Sequence, residues 1–234
     1  MQDGWFGAKM SRYAISRAEK RDEKRLIIET IPVGSLQTNC YLIADKAGGD
    51  ALVIDPGGDA QKILSAAAKH DLKIVAIVNT HGHWDHIGAD PDLAEATGAK
   101  VFVHAGDVDM LGDPMQNLSL AVAAEEFSTH PDGVLADGET IEVGGLEIRV
   151  IHTPGHTPGS SSFLVAGDLF SGDLVFYESV GRTDLPGSDE GKLHESINSK
   201  VLTLPDATNI WPGHGPKTSV GWEREHNPYI MGGR

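Results

Sequence analysis

Apolar residues fall in short runs along most of this chain, and the spacing within each run predicts an element. Residues 26–31, 40–44 and 51–55 read as strands. Residues 59–70 predict a helix. Asp59 can cap its start, and Ile63, Leu64 and Ala67 recur at helical spacing. Residues 74–79, apolar up to the closing Asn79, read as a buried strand. Asp90-Pro91 predicts a helix start and Gly98 its end. Residues 100–104 predict another strand. Residues 141–143 and 146–151 flank Gly144-Gly145, a hairpin signal. Strand-like runs also occupy 162–170 and 208–211. A helix is expected from Ser188, with Asp189 and Glu190 in its first turn and Leu193, Ile197, Val201 and Leu204 on its buried side. Residues 112–133 have weak periodicity, which predicts a flap or short helices near a site.

Strands thus come in groups with helices between them, a mixed α and β pattern. Residues 16–25 are almost entirely charged or small. They predict that residues 1–25 form a flexible N-terminal leader outside a single domain at 26–234.

Composition narrows the classes. The 234 residues suffice for one domain with a sizeable core. No run of about 18 apolar residues occurs, so no membrane helix is expected, and no charged-then-apolar leader argues for secretion. The net charge of −15, from 34 acidic and 19 basic residues, repels phosphate backbones and anionic lipid. Neither nucleic acid nor membrane is expected as a partner. The one cysteine, Cys40, cannot form an internal disulfide, which fits a cytoplasmic location, and its expected role is packing.

Residues 80–86 read Thr-His-Gly-His-Trp-Asp-His. Four strong ligand types, His81, His83, Asp85 and His86, fall within six positions. Alternate side chains of an extended segment share a side, so His81 and His83 can reach one ion. Asp85 and His86 follow where the chain turns and can face another. Imidazole and carboxylate together suit zinc, iron or manganese. Trp84 is expected to pack under this loop. Three further candidates follow strand-like runs and lie beside glycine: His156 in Thr-Pro-Gly-His-Thr-Pro-Gly, Asp173 in Ser-Gly-Asp-Leu, and His214 in Pro-Gly-His-Gly-Pro.

These motifs, in this order, resemble the metallo-β-lactamase superfamily, and within it the short glyoxalase II-like hydrolases. Residues 180–187, Val-Gly-Arg-Thr-Asp-Leu-Pro-Gly, and Glu225-His226-Asn227-Pro228 carry the finer likeness. The resemblance implies a four-layer αββα sandwich. It implies that His81, His83 and His156 hold one metal, that Asp85, His86 and His214 hold a second, and that Asp173 bridges them. It suggests that Asp55, in Ile-Asp-Pro-Gly-Gly, supports the metal loop. It matches Arg182 to a basic residue that related enzymes present to the glutathione portion of substrate. Broad β-lactam-hydrolysing relatives carry cysteine where Asp173 stands, which argues against antibiotic hydrolysis as the main activity. Larger glyoxalase II enzymes add a C-terminal helical domain that helps bind glutathione. Only twenty residues follow His214 here, so that domain is not expected.

The implied activity is hydrolysis of a small thioester such as S-lactoylglutathione. Two divalent ions, zinc first and iron or manganese otherwise, share a hydroxide that attacks the carbonyl. Asp85 is expected to orient that hydroxide or accept its proton. The alternative is a persulfide dioxygenase, which uses a single iron held by two histidines and one aspartate.

Overall fold

The structure is a computed structural model that describes residues 26–123 and 126–231. The expected leader, residues 1–25, lies outside the described residues. In the first sheet β1 (Ile27–Val33), β2 (Thr38–Ala44) and β3 (Asp50–Ile54) form an antiparallel meander. β4 (Lys73–Val78), β5 (Lys100–His104) and β6 (Gly133–Leu135) continue it in parallel. Parallel neighbours need a crossover. α1 (Ala60–Lys69) supplies it between β3 and β4. The short α2 (Trp84–Ile87) and then α3 (Asp90–Thr97) supply it between β4 and β5. α4 (Val108–Gly112) follows β5.

The second sheet begins with the antiparallel strands β7 (Thr140–Val143), β8 (Leu146–His152), β9 (Ser161–Val165) and β10 (Asp168–Gly172). β11 (Val175–Phe176) and β12 (Ser179–Val180) make a small separate hairpin. α5 (Glu190–Ser196) follows, and its last turn widens over Ile197–Val201. β13 (Asn209–Pro212) then joins β10 in parallel, and β14 (Thr218–Ser219) closes that edge. α6 (Val220–His226) and α7 (Pro228–Met231) end the described chain.

Burial explains the layering. Every residue of β2 is buried, because alternate side chains face two different cores. Tyr41 and Ile43 point between the sheets, where they meet Val150, Phe163 and Phe170 of the second sheet. Cys40, Leu42 and Ala44 point outward and pack with Ile63 and Ala67 of α1 and Leu93 of α3. A third cluster joins Leu169 and Ile210 to Leu193, Ile197 and Val220. The result is helix, sheet, sheet, helix, the expected four-layer αββα sandwich.

Three local expectations need correction. The run 162–170 is two strands, because Ala166 and Gly167 turn through positive φ (50° and 90°) and fold the run into the β9–β10 hairpin. Asp59 precedes α1 but does not cap it. Its carboxylate accepts from the Gly34 amide instead (3.0 Å). The helix expected from Ser188 starts two residues later, capped by Asp189, whose side chain accepts from the Lys192 amide. Ser188 donates to the His156 carbonyl (2.8 Å) and so braces that loop.

Phe163 is fully buried between the sheets. Phe163→Ala is expected to lower stability by about 3–5 kcal/mol, read as a lower denaturation midpoint. An unchanged midpoint would show that the two sheets do not depend on this shared core.

Candidate metal centre

The two sheets bring four loop segments to one edge of the sandwich. β3 and β4 run parallel with Ile54 opposite Val78, so Asp55 and the 79–86 segment leave the sheet side by side. β8 leads to His156, β10 to Asp173 and β13 to His214. Side chains at the ends of rigid strands are held firmly yet open to a cleft.

All seven sequence-derived candidates meet there. His81, His83 and His156 offer ring nitrogens within 4.8 Å of one another, and so do the ligand atoms of Asp85, His86 and His214. His83 Nδ1 and His156 Nε2 are 3.0 Å apart. A tetrahedral ion with metal–nitrogen distances of about 2.0–2.1 Å puts such pairs about 3.3 Å apart. Asp173 lies between the groups: Oδ1 is 3.5 Å from His86 Nε2, and Oδ2 is 3.7 Å from His156 Nε2 and 3.6 Å from His214 Nε2. Asp85 Oδ2 is 3.3 Å from His214 Nε2 and accepts from the Thr38 hydroxyl at 2.9 Å.

Hydrogen bonds fix which nitrogen three of the rings present. Asp55, 1% exposed and in the left-handed region (φ 53°), accepts from the Thr80 amide, the Thr80 hydroxyl and His86 Nδ1. His86 Nδ1 therefore donates to Asp55, and Nε2 faces the centre. The Thr80 hydroxyl, which donates to Asp55, accepts in turn from His81 Nδ1 (3.1 Å). His156 Nδ1 donates to the Arg182 carbonyl (2.8 Å), again leaving Nε2 inward. One buried carboxylate thus orients a ring in each group, the carboxylate–histidine relation common behind metal ligands.

Two tests favour a cation. His81 Nε2, His86 Nε2 and Asp173 Oδ1 are buried without a hydrogen-bond partner, an arrangement that costs free energy unless something satisfies it. Charge points the same way. Burial, with His86 and His156 nearby, lowers the His81 pKa far below the usual imidazole range. Burial and then His156 push His83 down to about 3. Both rings are neutral and ready to ligate. Burial also opposes charging of His86, yet Asp85, Asp173 and Asp55 outweigh it and raise its pKa to about 10. This half of the centre is a negative well that draws a cation. Gly213 borders it, where a Cβ would overlap Asp173 Oδ1, so no larger residue fits.

The chain matches a family model for the metallo-beta-lactamase superfamily over residues 33–214. This protein belongs to that superfamily. A hydroxyacylglutathione hydrolase of Haemophilus influenzae is 35% identical over 212 residues, 87% of this chain and 97% of the relative. A solved structure described as the BLEG-1 B3 metallo-beta-lactamase superposes with TM-score 0.84 at 37% identity, over 88% of this chain and 100% of that one. The TTHA1623 protein, solved in a di-iron-bound form, gives TM-score 0.75 at 36% identity, over 86% and 99% of the two chains. Superfamily membership and the His/Asp clusters make this chain a metallo-hydrolase.

Other residues at the site carried no sequence signal. Asp107 is fully buried and accepts from the Gly82 amide (3.0 Å), the Thr157 hydroxyl (2.7 Å) and the Gly159 amide (2.6 Å). It ties the His81–His83 loop to the His156 loop. Asn39 and Tyr41 hold the third loop: Asn39 Nδ2 donates to the Pro212 and Gly215 carbonyls, and the Tyr41 hydroxyl to Pro212. Only Thr80 and Thr157, adjacent to ligand-type histidines, were findable from the sequence. Trp84, half-buried, lines a cavity of about 500 Å³ over the centre. Arg182 also lines it, but its guanidinium is paired with Asp184 through two bonds (2.7 and 2.8 Å).

Asp55→Asn is expected to weaken metal retention about 10–100-fold in a chelator competition while circular dichroism stays unchanged. Wild-type retention would remove Asp55 as the orienting group. Asp107→Ala should lower bound metal per chain by loosening two loops at once. Full metal content in that variant would show that the loops hold without it.

Proposed function

We propose that this protein is a binuclear metallo-hydrolase that cleaves a small thioester such as S-lactoylglutathione. The observation that carries the reading is Asp173 standing between two ligand groups, with one oxygen toward His86 and the other toward His156 and His214. The likeness to a hydroxyacylglutathione hydrolase and to a di-iron protein supports it.

His81, His83 and His156 would hold one divalent ion and Asp85, His86 and His214 the other, with Asp173 shared. Zinc is the first expectation, and iron or manganese suits the same donors. When bound by these residues, such ions would supply activated water near neutral pH and a Lewis acid for a carbonyl. The chain's own residues do the rest. The histidines, fixed by Asp55, Thr80 and the Arg182 carbonyl, set the geometry. Asp85 keeps its charge despite burial, because His86, His214 and the Thr38 hydroxyl hold its pKa below the ordinary carboxylate range. Its carboxylate orients the attacking water. Water adds to the carbonyl carbon, the carbon–sulfur bond breaks and the thiolate departs. Thiols have a pKa of about 8–9, so departure does not require a strong general acid. Neither a covalent acyl-enzyme nor a protein nucleophile is needed. The substrate is a small molecule. The acidic surface argues against nucleic acid or membrane as partner and fits a cytoplasmic enzyme.

Purified protein loaded in turn with zinc, iron and manganese should release thiol from S-lactoylglutathione. Oxygen uptake with glutathione persulfide and no thioester cleavage would replace this reading with the iron dioxygenase. Faster turnover of a chromogenic β-lactam would replace it with antibiotic hydrolysis. Asp173→Ala should lose activity by several orders of magnitude together with bound metal. Unchanged turnover would remove the binuclear centre.

A further inference from the structure

The cavity over the centre has apolar walls. Leu36, Trp84, Leu118, Val122, Phe176 and Leu185 face it, and its volume of about 500 Å³ suits a small ligand. Hydrogen bonds of Asn117 hold the part of the wall that carries Leu118. Asn117, fully buried, donates from Nδ2 to the Phe127 carbonyl (2.9 Å), and its own carbonyl accepts from the Trp84 amide (2.9 Å). Its side-chain oxygen accepts from the Ser119 amide (2.9 Å). These bonds bracket Leu118, which is held at φ 68°, a costly conformation for leucine. Such strain persists where surrounding structure over-determines it, and here it sets Leu118 on the cavity wall. The rim continues the apolar surface. Leu36 is 49% exposed and Val122 59%.

Cationic chemistry is scarce by contrast. Among the described residues lining the cavity, Arg182 is the one lysine or arginine, and Asp184 grips it at both Nε and a terminal nitrogen. A glutathione moiety carries two carboxylates and must compete with Asp184 for that guanidinium. It also approaches a chain of net charge −15. A neutral thiol portion meets neither penalty, and an apolar acyl chain gains from the walls.

We infer that this pocket selects neutral thioesters with an apolar acyl chain over glutathione thioesters, and that Asp184 sets this preference by occupying Arg182. The inference rests on the thioesterase reading above and refines its substrate class.

The metal-loaded full chain is given S-hexanoyl-N-acetylcysteamine, S-acetyl-N-acetylcysteamine and S-hexanoylglutathione, with thiol release followed. The hexanoyl cysteamine ester should be the best substrate. It should exceed the acetyl ester about tenfold or more in kcat/KM, through apolar contact, and should also exceed the glutathione ester. Asp184→Asn should lower KM for S-hexanoylglutathione about two- to fivefold, the scale of an exposed ion pair, with kcat unchanged and no effect on the neutral esters. Leu118→Asn tolerates the left-handed backbone, so the flap keeps its shape, yet it should erase the hexanoyl-over-acetyl advantage. Preference for the glutathione ester, or an unmoved KM in the Asp184 variant, would overturn the inference and leave the thioesterase reading standing. Calorimetry with the inert thioethers S-hexyl-N-acetylcysteamine and S-hexylglutathione separates the remaining case. Tighter binding of the neutral thioether without cleavage of any ester would retain the pocket's selectivity and refute thioester hydrolysis. Equal or reversed affinities would refute the selectivity.

Discussion

Buried ring nitrogens cannot be gathered beside two carboxylates without something to hold them there. His83 Nδ1 and His156 Nε2 face each other at 3.0 Å, and three further ligand-type atoms are buried with no partner. In water these groups would be hydrated and apart, so their convergence costs free energy that the rest of the fold must supply. The interlocked sheets supply it. β2 is buried on both faces, and the core between the sheets contains Phe163 and Phe170. That rigidity lets four loops be held against their own electrostatic preference until a cation relieves it.

Buried acids distribute the task. Asp55 at the end of β3 orients His86 directly and His81 through Thr80. Asp107, from between β5 and α4, joins the two loops that carry the three-histidine group. Burial raises the Asp107 pKa, against donors from Thr157, Gly159 and Gly82, so its hold depends on keeping all three. The three-histidine half is nearly closed to solvent, with His81, His83 and His156 between 1% and 4% exposed. The His214 side chain, at 28%, opens toward the cavity. Both groups reach the cavity, which His83 and His156 line together with Asp85 and His214.

The cavity walls come from segments of quite different regularity. Phe176 belongs to a two-residue strand, whereas Leu118 and Val122 belong to a stretch held by the side chain of Asn117. Its contents follow from that variety. Apolar wall residues come from both kinds, Trp84 from α2 and Leu36 from the turn after β1, and the paired Arg182–Asp184 sits on the loop after β12. The candidate ligands follow strand ends, whereas much of the cavity wall comes from the segments between elements.

Local spacing alone determined a good deal. The strand runs other than 162–170, the Asp90-Pro91 and Gly98 ends of α3, and the Gly144-Gly145 hairpin depend on neighbours in the chain, and these appear where expected. The candidate ligands were legible because imidazole and carboxylate at such density have few other uses, although grouping them by ion needed the family resemblance. Where the Asp59 and Ser188 readings failed, the deciding partner was distant: the Asp59 carboxylate turned to the Gly34 amide and Ser188 to the His156 carbonyl. The split of 162–170 was decided locally, by the Ala166-Gly167 turn. Asp107 was invisible because an aspartate without a motif gains meaning only from the amides folded around it, two of them about fifty residues downstream or twenty-five upstream in sequence. Sequence periodicity is set by residues within a turn or two. Hydrogen bonds from buried polar groups are set by whichever segments the packed sheets bring together, and that only the tertiary structure decided.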